Sequence, residues 1–568
     1  MKAKKSISKL FVTSVMAVAS ATAGYAQTSL GSACGCPSVA SRPTVLLSSL
    51  PGFTAIAGTY GGELTTGAVL TCANTYIIDQ KIYIPSGQTL TINPGTVLKG
   101  RVTPFEVGST TVLDKPKATA LVIERGGKIM AEGQADCQIV MTAEADNLDG
   151  TFPIASNGQW GGLVILGKAS NNLTLAANGP FVPGGSGKLA VANGLGTIEG
   201  FATSNTQDQY GANLTLGETF NDNDNSGILQ YVSIRHSGAF LAVGAEINAL
   251  TLGSVGRGTK IDHIEIVSCA DDNIELFGGT VNLSHVTTLF GNDDMFDWDL
   301  GWSGKAQFWF GMKTDNLASL DSDNGFEADG DDNKSNNTPY SVPVIYNATI
   351  IGNSKSTTTS DNSSIAAINA KELTGGEIYN SIFANFKNGL NLVKSFAAPR
   401  TYEAYHNWSA TLGNGSQILK VKCNTFVGVT NPLTVGNSAA NTVAADNTQF
   451  TTTDLNTIVT GNTLPGFDYT FAVNNTTNVF TAKNDPIPNP SLSVAGCPVA
   501  PADGFFRVAN YRGAFASTGD NWLSDWSYSQ VLNATKGLVS CPSDLDKDGD
   551  TDVSDFLIFA PAFGTSCN

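Results

Sequence analysis

The sequence predicts an all-β fold, a right-handed parallel β-helix, and three observations carry that prediction. The first is a five-residue pattern that recurs: Asp271-Asp272-Asn273-Ile274-Glu275, Asp293-Asp294-Met295-Phe296-Asp297 and Asp323-Asn324-Gly325-Phe326-Glu327, with weaker copies at Lys387-Asn388-Gly389-Leu390-Asn391 and Thr430-Asn431-Pro432-Leu433-Thr434. Its fourth residue is always apolar and its fifth always polar, and the copies lie 22, 30, 64 and 43 residues apart. A step of 22 fits one coil of a solenoid whose coils bury their apolar residues on one another. The longer steps are coils carrying loops, or two coils. The second observation is a run of short strands alternating in period two and broken by Gly and Pro. The third is composition: 60 glycines, only 14% charged residues and few amphipathic helical windows.

Taken in order, residues 1–26 read as a signal peptide. Lys2, Lys4, Lys5 and Lys9 precede the apolar stretch Leu10–Ala23, and Gly24-Tyr25-Ala26 sets small residues before Gln27. No other stretch reaches the ~20 apolar residues of a membrane span. The expectation is a secreted, extracellular protein without membrane insertion. Residues 27–74 read as an N-terminal cap, and 75–440 as the β-helix. Its strands include Leu90-Thr91-Ile92, Leu121-Val122-Ile123, Ile139-Val140-Met141 and Leu163-Val164-Ile165-Leu166. Tyr231-Val232, His263-Ile264, His285-Val286, Tyr346-Asn347 and Tyr379-Asn380 open strands that look equivalent, and Asn347 and Asn380 suit a turn column. The Ser/Thr-rich stretch 354–365 reads as an inserted loop. Residues 441–535 read as a linker and an aromatic-rich cap over the open last coil, where unpaired strand edges need cover. Residues 536–568 form a separate module.

Charge excludes one class of partner. With 49 Asp+Glu against 32 Lys+Arg, the chain lacks the basic stripe that nucleic acid requires. Nine cysteines in an exported chain permit disulfides. Cys541 and Cys567 bracket one compact segment and are the expected pair. The other pairings stay open, the odd count leaves one thiol over, and Cys269 reads as a buried small hydrophobe.

Residues 72–315 and 503–526 resemble a group of exported bacterial cell-surface proteins expected to be right-handed parallel β-helices. The resemblance rests on Leu90-Thr91-Ile92-Asn93-Pro94-Gly95-Thr96-Val97, Trp160-Gly161-Gly162-Leu163-Val164-Ile165-Leu166-Gly167, Tyr231-Val232-Ser233-Ile234-Arg235-His236 and Gly504-Phe505-Phe506 to Trp522. It implies fold and export and leaves activity open.

Four sets of residues are candidates for chemistry. Asp544, Asp546, Asp548, Asp552 and Asp555 occupy positions 1, 3, 5, 9 and 12 of a calcium loop, with Gly549 at position 6 and the Asp550 carbonyl at 7. The loop resembles one repeat of a type I dockerin and implies structural calcium. Asp321, Asp323, Glu327, Asp329, Asp331 and Asp332 are dense enough to suggest a second calcium site, and Asp222 and Asp224 form a weaker cluster. The fifth residues Glu275, Asp297 and Glu327 should stack about 4.8 Å apart and face solvent. Asp271, Asp293 and Asp323, and Asp272 and Asp294, would form columns in the adjoining turn. Such columns serve as turn punctuation, cation ligands or catalytic carboxylates. Cys269-Ala270-Asp271-Asp272-Asn273-Ile274 resembles the Asp-Asp setting of polygalacturonase-type β-helix hydrolases, whose Gly-His-Gly and Arg-Ile-Lys motifs are missing. A lyase would instead use a base such as Lys305 or Lys313. Finally, alternation along Lys305–Lys313 puts Ala306, Phe308, Phe310 and Met312 inside and Lys305, Gln307, Trp309 and Lys313 outside. Trp298, Trp302, Trp309 and Lys305 then become candidates for stacking and binding a glycan; Trp packing under inserted loops is the competing role.

The sequence therefore leads to a non-enzymatic surface or matrix protein that binds glycans or neighbouring surface proteins, with calcium as structural ion. A polysaccharide hydrolase or lyase acting through Asp271, Asp272, Glu275, Asp293, Asp294 and Asp297 is the first alternative. A self-assembling subunit of an extracellular array is the second.

Overall fold

The computed structural model describes residues 30–102, 119–173, 189–198, 201, 205–242, 245–314, 324–330, 338–353, 366–393, 400–406, 417–436, 439, 442–461, 464–469, 485–516, 521–524 and 526–532. The signal peptide, the 354–365 loop, the Asp544–Asp555 loop, Cys541, Cys567, Asp321, Asp323, Asp331 and Asp332 lie outside them.

The molecule is an all-β parallel β-helix. Its coils build three ladders. One is a 12-stranded sheet that includes Gly61–Leu64, Lys81–Ile84, Ala120–Ile123, Leu163–Leu166, Leu250–Gly253, Ile274–Phe277, Phe296–Asp299, Phe326–Ala328, Ala366–Ala370, Asn388–Leu392 and Asn431–Val435. Past its first, antiparallel pair every neighbour is parallel, so each coil repeats the last. The other two ladders fuse where single long strands bend through both: Gly227–Arg235, Lys260–Val267, Asn282–Leu289 and Lys305–Met312. The parallel pairing starts at Thr44 and ends at Val459, wider on both sides than the 75–440 expected.

The repeat is in the anticipated register. Leu250, Ile274, Phe296, Phe326, Ile368, Leu390 and Leu433 pair in one inward column, all buried. The 64-residue step is two coils. Ala366–Ala370 sits between Glu327 and Asn391, and its Ala366-Ala367-Ile368-Asn369 carries no Asp-Asn signature to betray it.

The bends of the long strands fall on Tyr231, His263, His285 and Phe308, all with φ between 48° and 59°. Bulky residues rarely adopt this left-handed conformation. Here it turns the strand while the four rings stack outside the coil, with centroids 4.5, 4.2 and 4.9 Å apart. In later coils Asn347 and Asn380 hold the bend, residues for which positive φ costs less. The column thus aligns Asn347 and Asn380, one residue later than Tyr346 and Tyr379, with the histidines.

The aromatic C-terminal segment does not cover the last coil. That end is closed by Ala444–Thr448 and the following turn, which puts Phe450 against Phe426, centroids 5.2 Å apart. Residues 485–516, 521–524 and 526–532 instead run back along the flank as a strap. Arg512 donates to Asn424 O and Thr425 Oγ1, Gln307 exchanges hydrogen bonds with the Arg507 backbone, and Trp522 and Trp526 meet the His263 and His285 rings. The strap's far end reaches Glu265, which accepts the Tyr528 and Ser529 N–H groups at 2.7 and 3.0 Å. Phe310, Met312, Ile351, Ile382 and Val427 project outward from the coils, and the strap's Phe515, Trp522 and Trp526 cover them.

Three disulfides resolve pairings the sequence left open. Cys34–Cys137 and Cys36–Cys72 tie the N-terminal segment to the first coils, and Cys423–Cys497 ties the strap to a late coil. Cys269 is a buried free thiol, its pKa pushed up by burial.

Candidate functional site

The fifth residues of the repeat form the column that the sequence anticipated. Thr251, Glu275, Asp297, Glu327, Asn369, Asn391 and Thr434 pair in unbroken register on the 12-stranded sheet. They point away from the coil lumen, opposite to the inward Ile274, Phe296 and Phe326. They do not face solvent as expected: Glu275 and Asp297 are only 4% and 3% exposed. Side chains from flanking positions roof them. Asn248 donates to Glu275, and Lys371 spans Glu327 and Asp329 at 3.0 and 3.2 Å. Beyond Glu327 the column becomes an amide ladder. Asn369 donates to Glu327, Asn391 to Asn369 at 2.9 Å, and Thr434 to Asn391 at 2.8 Å.

The adjoining turns carry a second column with a structural task. Asp272 accepts the Asp294 N–H at 2.8 Å, Asp294 accepts the Asn324 N–H, and Asn324 accepts the Ala366 N–H at 3.1 Å. Each side chain caps the turn of the next coil, which is why Asp and Asn recur there. Lys313 reaches the Asp293 carbonyl and is buried.

These columns converge. Carboxylate oxygens of Asp272, Glu275 and Asp297 lie within 4.8 Å of one another, as do those of Asp271, Asp272 and Asp293, and of Asp297, Glu327 and Asp329. Two ionised carboxylates at such a distance repel by roughly 3–4 kcal/mol at an effective dielectric near 20. Burial, with Asp293, Asp271, Asp294 and Asp297 nearby, pushes the Asp272 carboxyl well above the usual range. Repulsion on that scale is offset by a proton, a cation or a basic neighbour such as Lys313, which reaches Asp293. Two oxygens on opposite sides of a calcium ion are about 5 Å apart, so the spacing fits one. The Asn248 carbonyl oxygen and the Thr251 hydroxyl, both buried beside Glu275, have no protein partner and add hard oxygen donors to the set. Asn248 and Thr251 stand at the second and fifth places of a further copy of the motif, Ile247-Asn248-Ala249-Leu250-Thr251, whose likeness to Thr430-Asn431-Pro432-Leu433-Thr434 is the signal that could have found them.

The expected aromatic platform does not form. Trp298, Trp302 and Trp309 are fully buried and fill the coil lumen, with Trp309 stacked on Phe296 at 4.2 Å. The positive φ of Phe308 shifts the alternation by one, so Ala306 and Trp309 turn in while Phe310 and Met312 turn out beneath the strap. Lys305 pairs with Asp503 at 2.5 Å and anchors the strap.

The remaining candidates are structural. Asp222 accepts the Ser170 backbone N–H and hydroxyl at 2.9 and 2.6 Å. Asp224 is buried and accepts from Ser226. His236 ends a strand at φ 58°, stacked edge-on against Phe152 at 4.7 Å.

A family model described as a pectate-lyase-like beta helix domain matches residues 62–469. The chain belongs to that family. The pectate-lyase-like span takes in nearly all the coils, the carboxylate column and the bend column, and stops before the strap. No curated protein matches the chain.

Proposed function

We propose that this is an exported bacterial surface or matrix protein that works by binding glycans or neighbouring surface proteins, with calcium as a structural ion. One observation carries the reading: four of the six candidate carboxylates of a pectate-lyase-like fold are here enclosed, with Asp271 and Asp293 half-buried. A polysaccharide needs open access to catalytic groups, and Asp272, Glu275, Asp294 and Asp297 are each buried. The Asp272–Asp294–Asn324 hydrogen bonds give two of these acids a task in coil stacking. Calcium would be held by Asp272, Glu275 and Asp297 and, outside the described residues, by Asp544, Asp546, Asp548, Asp550, Asp552 and Asp555. There it would supply charge neutralisation between coils.

The test is turnover of a panel of neutral and acidic polysaccharides by the mature protein, with and without calcium. The expected result is no new reducing or unsaturated ends, and a calcium-dependent rise in Tm that survives removal of 541–568. That remaining rise is lost in Glu275→Gln/Asp297→Asn. Product formation abolished by Asp272→Asn would establish the second reading, a polysaccharide lyase or hydrolase. The family and the high proton affinity of Asp272 favour that alternative.

A further inference from the structure

Between two coils the chain leaves the helix and builds a small antiparallel sheet, Leu189–Ala192, Leu195–Thr197 and Gln209–Gly211. Where this insert leans on the coil corners, it borders a half-open cavity of about 540 Å³, within the range of ligand sites, roughly 300–1,000 Å³. Ser86, Glu124 and Arg125, and Lys168 come from three successive corners; Thr206 and Glu218 come from the insert. Among the described residues no aromatic side chain lines it.

Its polar groups are only partly satisfied within the protein. Arg125 pairs with Glu218 at 3.0 Å and donates to the Gly211 carbonyl at 3.1 Å. Glu218 also accepts the Asn213 N–H at 2.8 Å. By contrast, one carboxyl oxygen of Glu124 is enclosed without a hydrogen-bond partner. Among the described residues the Lys168 ammonium makes no hydrogen bond; its charge acts at longer range on Glu218 and Asp224. Glu124, through its other carboxyl oxygen, and the Lys168 ammonium line a polar cavity, a setting that suits a ligand dense in hydroxyls, each able to donate and accept.

We infer that this cavity is a sugar-binding subsite that seats one neutral sugar unit of a glycan, with Glu124 and Lys168 reading its hydroxyls. The inference rests on the glycan-binding part of the proposed function. Charge within the cavity supports a neutral ligand. Burial, then Glu63 and Asp208, push the Glu124 carboxyl up to about 8 against the pull of Arg125. At neutral pH Glu124 is therefore a hydrogen-bond donor as well as an acceptor, beside Lys168, the paired Arg125–Glu218 and the Tyr83 hydroxyl that Asp208 holds at 3.0 Å.

The experiment is calorimetric titration of the full chain with neutral hexoses, their short oligomers and the matching hexuronates, from pH 6.5 to 9.5. Expected are saturable binding of a neutral sugar, a loss of at least tenfold in Lys168→Met and Glu124→Leu, and retention in Glu124→Gln. Wild-type affinity should fall several-fold as pH rises through about 8, when Glu124 loses its proton, and Glu124→Gln should remove that dependence. Structural damage alone would not flatten a pH profile. Binding of hexuronates only, or indifference to all three substitutions, overturns the subsite. Retention on a polysaccharide that the variants leave unchanged overturns the subsite but keeps the glycan reading. If the wild type binds neither polymer nor sugar, both fall.

Discussion

Trp309 shows how much one dihedral angle decides. With Phe308 in the left-handed region, Trp309 lies inside the coil against Phe296 and Trp302. Trp309→Ala should therefore cost about 3–5 kcal/mol of stability and leave glycan retention unchanged, which paired denaturation and binding measurements on the variant will show. His236 offers a second residue-scale test. Burial, with Arg235 adding to it against Asp146, lowers its pKa to about 4 from 6.5. The unfolded chain thus takes up a proton at a pH where the folded chain does not. Stability is complete above about pH 6.5, falls as the pH drops through the interval to about 4, and loses roughly 3 kcal/mol across it. Melting temperatures of wild type and His236→Asn over that interval should converge at low pH, since Asn tolerates the positive φ and does not titrate. Parallel curves would discard His236 as the source. The recurring motif alone makes Glu275, Asp297 and Glu327 legible as one column. The enclosing groups are harder to read: Asn248 and Thr251 belong to a copy of the motif that carries no acid, Lys371 lies outside it, and the three come together only when coils stack.

At the level of elements, the strap is the least foreseeable part. Its aromatics signalled cover for apolar surface, and that is what they provide, but sequence carries no direction for a segment that pairs with no strand. The outward Phe310 and Met312, read as inward from simple alternation, were the missing clue. Glu265 is the point where the strap's far end docks: buried, bonded to Ser233, and accepting two strap N–H groups. Replacing it by leucine should free the Tyr528 and Ser529 amides. Hydrogen exchange at 526–532 should quicken by an order of magnitude or more, while the coil amides of 260–267 keep their protection. Equal loosening of strap and coil would show instead that the two form one cooperative unit.

For the whole molecule, the coil period of 22 residues and the inward apolar column follow from alternation and turn chemistry, so the β-helix was readable, though neither its three ladders nor its two ends were. What loops do over the coils was not readable either, because inserted segments have no periodicity to read. The strap's role is testable at this scale. A chain ending at 484 should keep the β circular dichroism of the coils yet bind a hydrophobic dye and associate on size exclusion, because Val267, Leu289, Phe310, Met312 and Ile382 would become exposed. A monomeric, dye-silent truncation would show that the flank needs no cover.

The strap also sets a schedule. Coils that stack one on the next can form in the order in which they emerge, each on its predecessor. The strap cannot, because its last residues return to coils completed some 260 positions earlier, the separation between Glu265 and Tyr528. Through synthesis and any passage across a membrane, the flank around Phe310 waits uncovered until nearly the end of the chain arrives. A chaperone that recognises exposed apolar surface has a defined interval in which to act, and release from it would report that the strap has docked.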